Sequence, residues 1–269
     1  MTTLVSPPTR IVAHRGFSSR QPEMTLAAYQ EAVDWARAEA VPVGLECDVH
    51  FSADGQVVCL HDDGLSRTCG VDGLVGELTL AELRGLDFGS WRIPDPSPPQ
   101  RSLVTLADLL VLVHEAREQG VDVTLVVETK HEVDRAPEIE LEVCRMLAEH
   151  GWNRGGAPVR LITFCPVAAA LLAQLVPDVD RTLLVELALG PYASGELPAG
   201  IHVVGVDIHV LREHPDFVAR AREHGNEVHV WTVNEIADIE FCRSIGVTCF
   251  TTDYPDRVLE VLSRAEVAG

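Results

Sequence analysis

The sequence predicts a (β/α)8 barrel with a β-hairpin extension after its second strand and a small insertion. Three observations carry that expectation. The chain of 269 residues is 46% hydrophobic and 23% charged, enough to bury one large core at a length where α/β barrels commonly fold. Beyond residue 100, short β-branched apolar runs alternate with amphipathic segments, the rhythm of strand–helix units around a parallel sheet. Several of those runs end in charged or imidazole side chains, as barrel strands do where an active site stands at their C-terminal ends. A doubly wound open sheet fits less well, because no glycine-rich phosphate loop follows the first strand.

Taken in order, Ile11 to Ala13 reads as a buried strand that opens into His14-Arg15-Gly16. Pro22 and Thr25 then supply start signals for a helix with Leu26, Tyr29, Val33 and Ala36 on one face. Gly44 to Asp62 reads as a strand and its returning hairpin arm. From Asp63 to Gln100 the pattern loosens, and PDPSPPQ, from Pro94 to Gln100, is expected to lack regular structure. That stretch is too short and too poor in core residues to fold alone. Residues 1–269 are therefore read as one domain, with an insertion at about 63–100 lying over the barrel mouth.

The remaining elements follow regularly. Leu106, Leu109, Leu110 and Val113 mark a helix, and Val121 to Val127 a strand ending in Glu128-Thr129-Lys130. A helix with Ile139, Val143, Met146 and Leu147 on one face comes next. Strands are expected at Val159–Phe164, Arg181–Leu187, His202–Ile208, Glu227–Val233 and Val247–Thr251, and helices at Pro166–Val176, Asp216–Glu223, Glu235–Ile245 and from Pro255. Without the hairpin arm, eight core strands remain.

The formal net charge of -20 argues against nucleic acid or an anionic membrane surface as a partner, since both require clustered Lys and Arg. Seven scattered cysteines without a CxxC pair suit a reducing compartment. The first ten residues contain no signal-like apolar run, and no stretch of 18 uncharged apolar residues occurs. A cytoplasmic protein without a stable membrane anchor is the expectation.

The hairpin gathers chemistry. If the chain turns at Asp54-Gly55 with a two-residue loop, Ala53 pairs with Gln56 and His61 falls opposite Asp48; a four-residue loop sets it opposite Glu46. Both registers put His61 on the same sheet face as the two acids. Glu46, Asp48 and Glu128 form a hard oxygen-donor set suited to magnesium, calcium or manganese. His14 and His61 supply imidazoles that can pass protons near neutrality, and Arg15 and Lys130 supply positive charge for an anionic substrate.

These residues are recognisable as a set. His14-Arg15-Gly16, Pro22-Glu23-Met24-Thr25, Glu46-Cys47-Asp48, His61-Asp62, Glu128-Thr129-Lys130 and Trp231-Thr232-Val233-Asn234 occur in order at barrel-like spacing, and from His14 almost to the C-terminus the chain resembles the glycerophosphodiester phosphodiesterase family. The resemblance implies a (β/α)8 barrel that hydrolyses glycerophosphodiesters, such as glycerophosphocholine or glycerophosphoethanolamine, to sn-glycerol 3-phosphate and an alcohol. By that resemblance Glu46, Asp48 and Glu128 hold one divalent cation, Mg2+ or Ca2+ with Mn2+ a third candidate. His14 and His61 form the acid–base pair, Arg15 and Lys130 contact the phosphate, Trp231 flanks the glycerol or leaving-group pocket, and Glu23 borders the site. Many family members carry Asn where this chain has Met24. A lysophospholipase D or phospholipase C-like activity is the first alternative, and a catalytically silent metal- or phosphate-binding barrel the second.

Overall fold

The computed structural model describes residues 10–130 and 137–267; the N-terminal stretch read for a signal lies almost entirely outside them. Its strands are β1 (Arg10–Ala13), β2 (Val43–Phe51), β3 (Val57–Cys59), β4 (Val104–Thr105), β5 (Val123–Thr129), β6 (Val159–Thr163), β7 (Asp180–Val185), β8 (Val203–Asp207), β9 (Glu227–Trp231) and β10 (Cys249–Thr252). The helices are α1 (Leu26–Glu39), α2 (Ser66–Cys69), α3 (Leu80–Leu83), α4 (Pro98–Arg101), α5 (Leu106–Glu118), α6 (Glu138–Glu149), α7 (Pro166–Leu175), α8 (Ile208–Glu213), α9 (Phe217–Glu223), α10 (Ile236–Ser244) and α11 (Pro255–Val267). Eight parallel strands run β1-β10-β9-β8-β7-β6-β5-β2, and β2 pairs back with β1. The ring is closed, a (β/α)8 barrel, and β3 and β4 extend from β2 outside it. None of the described helices is long and apolar enough to cross a membrane.

Strand periodicity sorts the side chains into two cores. On β2, Leu45, Cys47 and Val49 point outward into the main core shared with α1 and α5. The even positions face the barrel axis. At its lower end Gly44 is hemmed by Val12 and Val126, whose side chains a Cβ would meet at 2.9 and 3.3 Å. Val12, Val126, Ile162, Leu184 and Cys249 fill the interior there, with Trp231 packed against them. Above that plug the inward residues become polar. All nine residues of β2 are buried, which is why the strand reads as nearly continuous rather than alternating.

The hairpin register differs from both expectations. Val49, His50 and Phe51 pair with Cys59, Val58 and Val57, and Ser52 N–H donates to Gln56 O at 2.9 Å. The loop therefore has three residues, with Gly55 at φ 77°, the left-handed position that closes such loops. One residue of slip reverses the face of every side chain on the arm. In this register His61 has the parity of Cys47, away from the acids. It reaches the site because β3 ends at Cys59: Leu60 N–H still donates to Asp48 O at 3.1 Å, and the chain then leaves the ladder.

Two helical turns stand where irregular chain was expected. Within PDPSPPQ, α4 begins at Pro98, where a missing N–H costs nothing, and the Gln100 side chain accepts from Ser97 N–H at 3.0 Å and Ser97 Oγ at 2.9 Å. At the end of β8, Asp207 Oδ1 accepts from His209 N–H at 2.7 Å and starts α8. Leu65, Val75, Leu83 and Phe88 of the insertion pack with Val58, Leu60 and Leu103 from the chain on either side of it in a small separate core.

Candidate active site

The C-terminal end of the barrel brings three carboxylates together because β2 and β5 are neighbours in register. Asp48 lies directly beside Glu128, and Glu46 is one inward position below. Their exposures are 2% for Glu46, 1% for Asp48 and 7% for Glu128. One oxygen from each lies within 4.8 Å of the others. Three buried anions at this spacing are costly without positive charge. Lys130 Nζ answers part of that demand, 2.7 Å from Asp48 Oδ1 and 2.5 Å from Glu128 Oε1. Arg15 Nε stands 3.8 Å from Asp48 Oδ2, and the Arg15 backbone N–H donates to Glu46 Oε2 at 2.8 Å.

Proton affinities follow from this arrangement. Burial pushes Glu46 well above the usual carboxylate range, and the charges of Asp48 and Glu128 push it further. Burial and Asp48 likewise raise Glu128, to about 8. Asp48 is buried as well, but Lys130, His61 and Arg15 outweigh that and hold it below its ordinary value. The cluster is thus short of positive charge even with Lys130 and Arg15 in place. Asp48 Oδ2 is buried without a hydrogen-bond partner. A hard divalent cation fits these donors: the oxygens converge, they are too crowded to share one ammonium, and Lys130 already occupies a cation's position against two of them.

Each candidate imidazole has its own carboxylate. His14 Nδ1 is 2.7 Å from Asp253 Oδ1, and His61 Nδ1 is 2.6 Å from Asp62 Oδ1. A carboxylate on Nδ1 fixes the ring and leaves Nε2 as the exchanging nitrogen. Asp253 also accepts from Ser18 Oγ at 2.9 Å and Asn234 Nδ2 at 2.7 Å. Burial would raise it, but His14, Asn234 and Ser18 together hold it at about 2. Burial lowers His61, with Asp48 opposing. The His50 ring, on the acid face of β2, reaches His61 O from Nε2 at 3.2 Å.

Arg15 has left-handed backbone geometry, φ 58°, as have Gly16 at 79° and Met24 at 56°. This twist turns the β1 exit back across the mouth, and Met24 N–H donates to Arg15 O at 3.0 Å to hold it. Asn tolerates such a φ better than most residues. Met24 instead offsets the strain by burial at 3% exposure. Glu23 Oε1 accepts from Arg15 at 2.9 Å and from Arg67 of α2 at 2.7 Å, and Arg67 Nε reaches Asp62 Oδ2 at 2.5 Å. The insertion is thereby tied to both the Arg15 loop and the His61 carboxylate.

An open cleft of about 730 Å³ is lined by His50, His61, Asp62, Glu128, Lys130 and Phe164. A smaller recess of about 170 Å³, lined by His14, Arg15, Ser18, Glu23, Arg92 and Asp253, adjoins Arg15 on the other side. Trp231 meets Phe164 edge to face, with ring centroids 5.3 Å apart. Its Nε1 is buried without a partner. All nine residues expected at the site stand at or beside this mouth. Sequence reasoning gave no role to Asp253, Asp62, Asn234 or Arg67. Asp253 could have been found by the rule that located His14, because it ends the last strand directly before the Pro255 helix.

A closed parallel barrel whose mouth sets paired imidazole–carboxylate groups around three buried acids defines an enzyme for a charged substrate. Comparison with known proteins places it more narrowly. The profile of the glycerophosphoryl diester phosphodiesterase family matches residues 14–257. A Mycobacterium tuberculosis protein named "Probable glycerophosphodiester phosphodiesterase 1" is 36% identical over 266 residues, covering 96% of this chain and 94% of its own. A glycerophosphodiester phosphodiesterase of Bacillus subtilis is 30% identical, covering 93% and 85%. The solved structure of an Oleispira antarctica phosphodiesterase in complex with the product sn-glycerol-3-phosphate superposes with a TM-score of 0.80 at 25% identity, over 96% of this chain and 97% of that one. The chain belongs to the glycerophosphoryl diester phosphodiesterase family and is a phosphoric diester hydrolase.

Proposed function

We propose that the enzyme cleaves water-soluble glycerophosphodiesters, such as glycerophosphocholine or glycerophosphoethanolamine, to sn-glycerol 3-phosphate and the free alcohol, with His14 and His61 as the acid–base pair. The observation that carries this reading is that both imidazoles, each backed by a carboxylate on Nδ1, stand at the mouth that holds the three acids. Glu46, Asp48 and Glu128 would hold Mg2+ or Ca2+, which supplies positive charge for the phosphate's non-bridging oxygens. Lys130 and Arg15 bind the same anionic group and orient it. His61, whose proton affinity burial lowers, takes the proton of the attacking hydroxyl at Nε2. His14, facing the permanently ionised Asp253, gives a proton from Nε2 to the departing alcohol oxygen as its bond to phosphorus breaks. The nucleophile is water or the substrate's own neighbouring hydroxyl, and a transient cyclic phosphate in the 31P NMR spectrum distinguishes the second.

A lysophospholipid substrate is the second reading, favoured by a specific feature of the mouth. Phe164, Val167, Leu187 and Ile236, on the loops and helix starts after β6, β7 and β9, are 39%, 72%, 90% and 43% exposed. These exposed apolar side chains, of which Phe164 lines the same cleft as Glu128, could seat an acyl chain. Assaying glycerophosphocholine, glycerophosphoethanolamine and a lysophospholipid in parallel, with liberated glycerol 3-phosphate and lysophosphatidate as readouts, tests both. Preferred turnover of the lysophospholipid replaces the first reading with the second; turnover of none refutes both.

A further inference from the structure

The opposite end of the barrel holds a second group of reactive side chains that the phosphodiesterase chemistry does not use. A cavity of about 230 Å³ opens at the N-terminal ends of the strands and is lined by Arg10, Val12, Gly44, Val126, Arg160 and Cys249, among others. Cys249 opens β10 and lies directly beside His229 of β9 in the sheet register. Both side chains point into the barrel from neighbouring strands, and the imidazole lowers the proton affinity of the thiol. Arg160 Nη1 is 2.9 Å from His229 Nδ1 and 3.1 Å from Nε2. The three side chains are buried, Cys249 at 1% and Arg160 and His229 at 6%. Glu227 Oε2 stands 3.6 Å from His229 Nε2, and Asp180 Oδ2 3.4 Å from Arg160. A cysteine beside a histidine that is held by an arginine and faces a carboxylate has the elements of an activated nucleophile. It is the reverse of the inert buried thiol.

Other cysteines of the chain sharpen the contrast. Burial pushes Cys69 and Cys144 up to about 11 and Cys242 up to about 12. Cys249, 1% exposed, is as enclosed as Cys242 at 0%, yet His229, Arg160 and Arg10 outweigh burial and lower its proton affinity. The thiolate is the reactive form. A buried thiol of lowered proton affinity beside a cavity of this size is open to small neutral oxidants and closed to proteins.

We propose that Cys249, held beside His229 and Arg160 on the floor of the barrel, is a modification site that reacts with small hydroperoxides. In that reaction the Cys249 sulfur attacks one peroxide oxygen, an S–O bond forms and the O–O bond breaks. The departing hydroxide takes up the proton that the Cys249 thiol has given up and leaves as water. Sulfur is oxidised by two electrons to the sulfenic level and the peroxide is reduced by two. The guanidinium of Arg160 stabilises both the attacking thiolate and the oxygen it acquires.

The test treats the folded, full-length protein with one equivalent of hydrogen peroxide near pH 7, traps sulfenate with dimedone, and maps the label by mass spectrometry. Cys249 is expected to be labelled first, at least about tenfold ahead of Cys69 and Cys165, as thiolate character dictates. Cys249→Ser should lose that label while turning over substrate like the wild type. His229→Gln should slow labelling about tenfold or more, and Arg10→Gln, at the half-buried cavity rim, provides a second variant should His229→Gln fail to fold. Labelling of Cys249 only after denaturation, or no faster than Cys69, overturns the proposal. So does an undiminished rate in whichever folded variant is measured.

Discussion

Replacing Asp253 by Asn isolates one link in the site, because the change alters charge with almost no change in shape. Asp253 accepts from His14, Ser18 and Asn234. Asn234 Oδ1 is itself committed to Thr252 Oγ1 at 3.1 Å and Asp253 N–H at 2.9 Å, so its amide cannot turn to suit a new neighbour. The variant therefore sets one amide N–H2 against another or faces His14 with a donor. The fall of the Asp253 proton affinity from 3.8 to about 2 corresponds to about 2.4 kcal/mol, at about 1.36 kcal/mol for each factor of ten. Its side chain is 30% exposed, so about 2 kcal/mol is the working figure. Because the folded value is the lower one, this stability is fully present above pH ~4 and disappears as pH falls through ~2. Denaturant unfolding of wild type and Asp253→Asn across pH 2 to 7 measures it as a difference. That difference should be flat at about 2 kcal/mol above pH ~4 and shrink towards zero near pH ~2. Turnover at neutral pH should fall about 10²-fold, since His14 loses both its orientation and its counter-charge. A variant with near-wild-type kcat, or a stability difference independent of pH, refutes the reasoning.

Other expectations are more direct. His14→Ala and His61→Ala should each keep the wild-type circular dichroism spectrum and lose about 10²–10⁴ in kcat; wild-type turnover in either folded variant removes that residue from the acid–base pair. Exhaustive dialysis against EDTA should abolish turnover and readdition of Mg2+ or Ca2+ restore it, as full activity in verified metal-free protein is incompatible with a working three-carboxylate site. Lys130→Ala leaves Asp48 and Glu128 buried without their ammonium and should cost about 3–5 kcal/mol in EDTA. Divalent cation should then raise its Tm more than that of the wild type, and equal rises would contradict the shared position of ammonium and cation. Gly16→Ala places a Cβ 2.7 Å from the Ala28 backbone at φ 79° and should lower stability by about 2 kcal/mol or more in thermal unfolding.

Much of this protein was legible from local pattern. Apolar runs of strand length, helices of 3.6 period and the charges at strand ends depend on residues close in sequence, so the barrel and eight of the nine expected mouth residues could be read one element at a time, while Glu23 came from the family resemblance alone. Helix starts set by a single cap were harder: Ser97 with Gln100, and Asp207, made helical turns where proline content or strand continuation suggested none.

The sequence by itself determined that eight buried strands would converge their polar ends on one mouth, because parallel strands in a closed barrel have nowhere else to put them. Tertiary structure alone decided which of those groups touch. His14 and Asp253 are 239 positions apart and become partners only because β10 closes the ring against β1. The face of His61 was decided by a single residue in the hairpin loop, since a period of two converts one step of slip into a reversal. Its place beside Asp62 then came from the chain leaving the sheet after Leu60, a departure that no periodicity encodes.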